Sequence, residues 1–68
     1  MSIAVRHDKL LYLIRRCRYE NDLDNQVIIL RDINNRLPRE KRIAIASFIT
    51  DDYVSRALDI IEEQLYPS

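Results

Sequence analysis

Three arginines surround the only cysteine of this chain, in the stretch LLYLIRRCRY at residues 10–19. A thiol reacts as the thiolate, and nearby guanidinium groups favour that form, so Arg16 and Arg18 are in place to activate Cys17. However, Cys17 falls on the same apolar helical stripe as Ile14, where a cysteine usually behaves as a small core residue. The pattern therefore favours a buried structural cysteine over a reactive one.

The other residues capable of chemistry do not form a catalytic or metal-binding set. Catalysis requires a nucleophile or base with a partner, and the sequence pairs nothing with the single histidine, His7. Cys17 and His7 fall short of the four ligands of a structural zinc site. Asp59 is spaced to form a weak divalent pair with Glu62 or Glu63, but a solvated acidic face is the preferred interpretation. We expect no enzyme activity, no metal and no cofactor.

Length and composition indicate one small domain over residues 1–68. Chains this short are marginally stable alone and are usually supported by disulfides, metals or association with another chain. The lone cysteine excludes an internal disulfide and fits a reducing compartment. The N-terminus has no apolar run long enough for a signal peptide or a membrane span. We therefore expect a cytoplasmic homodimer, away from membranes. As its function we expect a regulatory or adaptor protein that binds another protein.

Charges are segregated along the chain, although 11 Lys and Arg residues balance 11 Asp and Glu residues. Residues 1–18 contain five basic residues and one acidic residue, whereas residues 50–68 contain five acidic residues and one basic residue. A dedicated nucleic-acid binder needs an excess of basic surface, which a balanced total does not supply. Blocks of opposite charge favour attraction between segments of one chain or of two chains.

The apolar spacing predicts an all-α fold, a compact bundle of about four short helices. Apolar positions recur in steps of four and three residues, as in helices packed at shallow angles. The resulting stripes are Ile3, His7, Leu10, Ile14 and Cys17 on the first helix, Leu23, Val27, Leu30, Asn34 and Leu37 on the second, and Val54, Leu58, Ile61 and Leu65 on the last. The chain has no glycine, and no alternation typical of strands is recognised. Asn21 or Asp22 and then Thr50 are suitable helix caps, and Pro38 is suited to a first helical position. The helices are predicted from about Ile3 to Tyr19, Leu23 to Asn35, Pro38 to Phe48, and Asp51 to Leu65.

Two groups of residues off the core stripes are candidate protein-binding residues. The side of the first helix opposite its stripe combines tyrosine and arginine, the types enriched at interaction hot spots. Such a side is also compatible with a solvated helix face or with nucleic-acid contact. Apolar side chains opposite the other stripes suggest a second buried surface, most simply between two copies of the chain. The candidates are Tyr12, Arg15, Arg16, Tyr19, Ile28, Tyr53 and Ile60, together with Ile43 on the predicted third helix.

A DNA-binding role is the second choice. A recognition helix contacts bases from its N-terminal end, and the predicted third helix begins with basic residues. The later residues of that helix, which ends at Phe48, resemble core, however, which weakens this interpretation. The candidate nucleic-acid residues are Arg15, Arg16, Arg18, Arg39, Lys41 and Arg42.

Residues 10–28 resemble the Hha/YmoA family of small enterobacterial regulators. That family has a leucine-containing helix ending in Arg-Arg-Cys, a short acidic turn and a second amphipathic helix. The C-terminal stretch DDYVSRALDII also resembles the end of the YmgB biofilm regulators. These resemblances imply an all-α regulator that acts through protein contacts, with a nucleoid or transcription component as partner. The positions that carry the first resemblance are Leu10 or Leu11, Ile14, Arg15, Arg16, Cys17, Asn21 or Asp22, Leu23 and Val27.

Overall fold

The structure is a computed structural model that describes the backbone of residues 2–66 and the side chains of residues 9–66. Within that range the chain forms three α-helices, α1 (Ser2–Tyr19), α2 (Leu23–Arg36) and α3 (Asp51–Leu65). A single 3-10 turn, Arg39–Lys41, lies between α2 and α3, and no strand occurs among the described residues. Each helix contacts the other two. The all-α class is therefore confirmed, with three helices in place of four.

Polar side chains just before α2 and α3 determine where these helices begin. Asp22 Oδ2 accepts a hydrogen bond from the backbone N–H of Asn25 at 3.3 Å. Thr50 Oγ1 accepts one from the backbone N–H of Tyr53 at 3.2 Å. The first amides of a helix have no partner within it, so such caps satisfy groups that would otherwise be unpaired. The predicted cap at Thr50 is confirmed, and Asp22 is the cap of α2.

The core lies where the apolar stripes of the three helices meet. Each helix contributes fully buried side chains to this core, for example Ile14 from α1, Leu30 from α2 and Ile61 from α3. Burying a side chain of this size contributes about 1.5–3 kcal/mol to stability. The predicted stripe residues Ile3 and His7 lie outside the described side chains. The core members are Leu10, Ile14, Cys17, Leu30, Ile33, Leu37, Val54, Ala57, Leu58, Ile61 and Leu65.

The predicted helix from Pro38 to Phe48 is wrong. After the 3-10 turn, residues 42–50 are not helical, and we call them the connecting segment. Ile43 and Ile45 are half-buried against the core, whereas Ala44 and Ala46 between and after them are exposed. Burial with a period of two residues is typical of extended chain, which β-branched isoleucine also favours.

Side chains of α2 and α3 hold the connecting segment in place. Asn34 Oδ1 accepts from the backbone N–H of Ile43, and Asn34 Nδ2 donates to the Ile43 carbonyl, both at 2.9 Å. The Tyr53 hydroxyl donates to the carbonyl of Ala44 at 2.9 Å and accepts from the N–H of Ala46 at 3.0 Å. Buried or half-buried backbone groups must find partners, and here two side chains take the place of a neighbouring strand.

Candidate protein-binding surfaces

The outward side of α1 carries an exposed cluster of tyrosine and arginine, which we call the Tyr/Arg face. It consists of Tyr12, Arg15, Arg16 and Tyr19, which follow one another at steps of three, one and three residues. Tyr12 is 56% exposed and Tyr19 is 84% exposed, and both arginines are exposed. Neither Arg15 nor Arg16 has a carboxylate within ion-pair distance among the described residues. The structure thus places these four predicted residues together, opposite the buried stripe of Ile14.

Arg18, three residues after Arg15, has a different environment. Its Nη2 lies 2.8 Å from Asp59 Oδ1 and 2.7 Å from Glu62 Oε1, both on α3. The hydrogen bonds to Glu62 and then to Asp59 raise the pKa of Arg18. Such a pair on the surface is worth about 0–1 kcal/mol, but it links the end of α1 to α3. Arg18 is therefore bound within the fold, unlike its neighbours on the Tyr/Arg face.

Cys17 is a core residue, as the stripe predicts. Its side chain is fully buried, and its Sγ donates to the carbonyl of Gln26 at 3.4 Å. Burial raises the pKa of the Cys17 thiol, while the positive charge of Arg18 opposes this to a smaller extent. A raised pKa reduces the thiolate population, so this environment disfavours a reactive cysteine. The side chain of His7, the other candidate for chemistry, lies outside the described residues.

The basic residues near Pro38 do not begin an α-helix, so the predicted third helix does not exist to present them as a recognition helix. Arg39 and Lys41 belong to the three-residue 3-10 turn. Arg42 donates from Nε to the carbonyl of Leu37 at 2.8 Å and from Nη2 to the carbonyl of Asn35 at 3.0 Å. Those carbonyls lie at the C-terminal end of α2, where a positive charge is favourable. Arg42 therefore stabilises the end of a helix.

The apolar residues off the stripes divide into two groups. Ile43 and Tyr53 pack against the core, so the expectation that they point away from it is wrong. Ile28 on α2 and Ile60 on α3 are 65% and 52% exposed. Phe48, assigned to the core by the sequence, is 74% exposed. The sequence places Phe48 in the core only if its segment is helical, and the connecting segment is not helical.

A groove runs beside Ile60, between α3 and the connecting segment. Its volume is about 290 Å³. Two alanines, Ala44 and Ala57, form part of its wall. Ile43, Tyr53, Arg56 and Ile60 complete the lining. The groove is mostly apolar, with one cationic side chain at its border.

The acidic residues of α3 do not form a metal site in the part of the chain that the structure describes. No group of three or more His, Cys, Asp or Glu side chains is suitably placed there for an ion. Asp59 and Glu62, the predicted weak pair, instead accept hydrogen bonds from Arg18. Glu63, the third acidic residue, is exposed.

Comparison with known proteins yields no relative. No protein-family model, no curated protein and no solved structure matches this chain. Within residues 2–66, none of the helices has the length and hydropathy required to cross a bilayer.

Proposed function

We propose that this protein is a small regulatory or adaptor protein, without enzyme activity, that binds another protein through the Tyr/Arg face of α1. The observation that carries the proposal is the exposure of Tyr12 and Tyr19 beside two arginines that have no acidic partner among the described residues. Tyrosine and arginine supply large contact areas and directed hydrogen bonds, which is why they dominate interface hot spots.

The chemistry of the face indicates an acidic partner surface. Arg15 and Arg16 offer guanidinium groups that can bind carboxylates in bidentate geometry. Tyr12 and Tyr19 lie on either side of them along the helix and would bury aromatic area when covered. The combination favours a partner with carboxylates around an apolar centre. The resemblance of residues 10–28 to the Hha/YmoA family supports a transcription or nucleoid component as its class.

Direct DNA binding is less well supported than protein binding. Arg18 is bound to α3, and Arg42 is bound to the end of α2. Of the six predicted nucleic-acid residues, these two therefore already have partners within the fold. Phosphate contacts require cations that can leave their own neighbours, so the remaining basic surface is smaller than the sequence indicates.

The proposal includes a cytoplasmic location for the protein.

Site-specific photocrosslinking in cells of the source organism tests this function. A photoreactive amino acid at Tyr19, and separately at Arg16, should give an adduct with the same protein after irradiation. The same probe at Arg31, which is exposed on α2, serves as the control position. Equal adducts from the probe at Arg31, or none from α1, would contradict the proposal.

A pair of charge reversals separates protein binding from DNA binding. The double variant R15E/R16E should lose the protein adduct of the probe at Tyr19, whereas R31E should keep it. DNA binding that falls steeply with salt and disappears in R15E/R16E would instead establish the alternative, because phosphate contacts release counterions. Circular dichroism of each variant should show unchanged helix content, since all three arginines are exposed.

A further inference from the structure

One stripe on the outer side of α3 has a pattern that complements itself. Arg56, Ile60 and Glu63 follow one another in steps of four and three residues. They lie within about 60° of one another around the helix axis, and Arg56 is about 10.5 Å from Glu63 along that axis. Neither charged side chain has an ion-pair partner among the described residues. The stripe is thus a cation, an exposed isoleucine and an anion in line.

We propose that this stripe pairs with the same stripe of a second copy of the chain, so that the two α3 helices run antiparallel about a two-fold axis beside Ile60. In that arrangement Arg56 of one copy faces Glu63 of the other, and the reverse pair forms on the far side of the axis. A parallel arrangement would place like charges opposite one another, which is unfavourable. The order of charges along α3 therefore favours a second copy of α3 as the partner, in the antiparallel orientation.

The groove beside the stripe provides the packing that such a pair needs. Ile60, which is 52% exposed, borders a groove whose wall includes Ala44 and Ala57. Near the two-fold axis, Ile60 of each copy can insert between the small side chains of the other, as a knob into a hole. An isologous interface requires one surface to carry both the projection and the recess, and this surface carries both.

The neighbouring acidic residue does not disturb the pattern. Asp59 also faces outward on α3, but its carboxylate accepts a hydrogen bond from Arg18. Its negative charge is thereby partly offset within the same chain, although Arg18 also pairs with Glu62. The α3 stripe includes no residue of the Tyr/Arg face, so self-association is independent of the function proposed for α1, and either proposal can fail without the other.

Sedimentation equilibrium over a range of concentrations tests the pairing. The surface is small for a stable dimer, so we expect a monomer–dimer equilibrium with a Kd on the order of 100 μM. Each single reversal, R56E or E63R, should raise the Kd about tenfold, because both symmetry-related ion pairs become repulsive. The double reversal R56E/E63R should return the Kd to within about threefold of the original, because it restores opposite charges across the axis. Failure of the double reversal to recover association would overturn the antiparallel arrangement.

A matched pair of isoleucine variants locates the interface. Ile60→Lys should abolish the dimer, whereas Ile28→Lys, at a 65% exposed position on α2, should leave the Kd unchanged. An equal or larger effect of Ile28→Lys would move the interface away from α3. A monomer at every concentration up to about 1 mM would refute the proposal outright. Both substitutions are at exposed positions, and circular dichroism should show unchanged helix content in each.

Discussion

Replacement of Asn34 by alanine should detach the connecting segment from α2. The side chain of Asn34 makes two hydrogen bonds of 2.9 Å to the backbone of Ile43, one as donor and one as acceptor. A net contribution of about 1 kcal/mol for each bond gives a loss of about 2 kcal/mol. Water can reach the segment once it moves, so the larger penalty of a permanently buried, unpaired group should not apply. For a domain of this size, that loss lowers the melting temperature by roughly 10 °C.

Urea unfolding followed by circular dichroism measures this change, and Asn35→Ala provides the control. Asn35 is the next residue of α2 and is exposed. Its backbone carbonyl accepts a hydrogen bond from Arg42, and its side chain makes no hydrogen bond to the described residues. Its substitution should alter the free energy of unfolding by less than about 0.5 kcal/mol. Amide hydrogen exchange provides a local measurement, because the N–H of Ile43 should lose protection in Asn34→Ala alone. Equal stability of the two variants, with Ile43 still protected, would refute the role given to Asn34.

Three further predictions concern the core. Leu58→Ala and Ile61→Ala should each cost about 2–4 kcal/mol, because both side chains are at most 1% exposed, whereas Ile60→Ala should cost far less. Thermal unfolding decides this, and unchanged melting temperatures for both core variants would contradict the packing of α3. Cys17 should react slowly with a thiol reagent in the folded protein and rapidly in urea, since it is buried. Burial raises the pKa of the Cys17 thiol in the folded protein above the ordinary value of 9.0. The stability that the folded protein gains from keeping this thiol neutral is therefore complete below pH 9.0 and is lost as the pH rises through the folded pKa. The free energy of unfolding should therefore fall less steeply at alkaline pH in Cys17→Ala, and identical pH profiles would count against this cause.

The helices and most of the core could be predicted from the sequence because their signals are local. Apolar residues in steps of three and four define one face of a helix whatever surrounds it, and Leu58, Ile61 and Leu65 were found in this way. The caps Asp22 and Thr50 act on amides three residues ahead, which the sequence also shows. These features do not depend on the rest of the chain.

The connecting segment could not be predicted in the same way because its contacts are distant in sequence. Ile43 is held by Asn34, nine residues earlier, and Ala44 by Tyr53, nine residues later. The two-residue alternation of Ile43 and Ile45 was the available local signal, and it was too short to outweigh the helix start indicated by Pro38. Propensity is a weak guide where tertiary contacts decide the conformation.

The same limit applies to the basic residues of α1. The sequence alone does not distinguish Arg15, Arg16 and Arg18, and all three are among the nucleic-acid candidates. Only the packing of α1 on α3 brings Arg18 to Asp59 and Glu62. Charged residues that form ion pairs within the fold are less available to a ligand. The basic residues near the N-terminus therefore favour nucleic-acid binding less than the composition of that segment indicates.

The way the connecting segment is held also restricts how a partner can dock. An extended segment normally offers its backbone to an incoming strand. Here Asn34 takes both backbone groups of Ile43, and Tyr53 takes the carbonyl of Ala44 and the N–H of Ala46. A strand that paired with this segment at those positions would have to displace one of the two side chains and lose its hydrogen bonds. A partner that docks on a helix face does not have to break hydrogen bonds, because the backbone groups of the helix are already paired with one another and the partner covers only side chains. This difference favours association through α1 and α3 over strand addition.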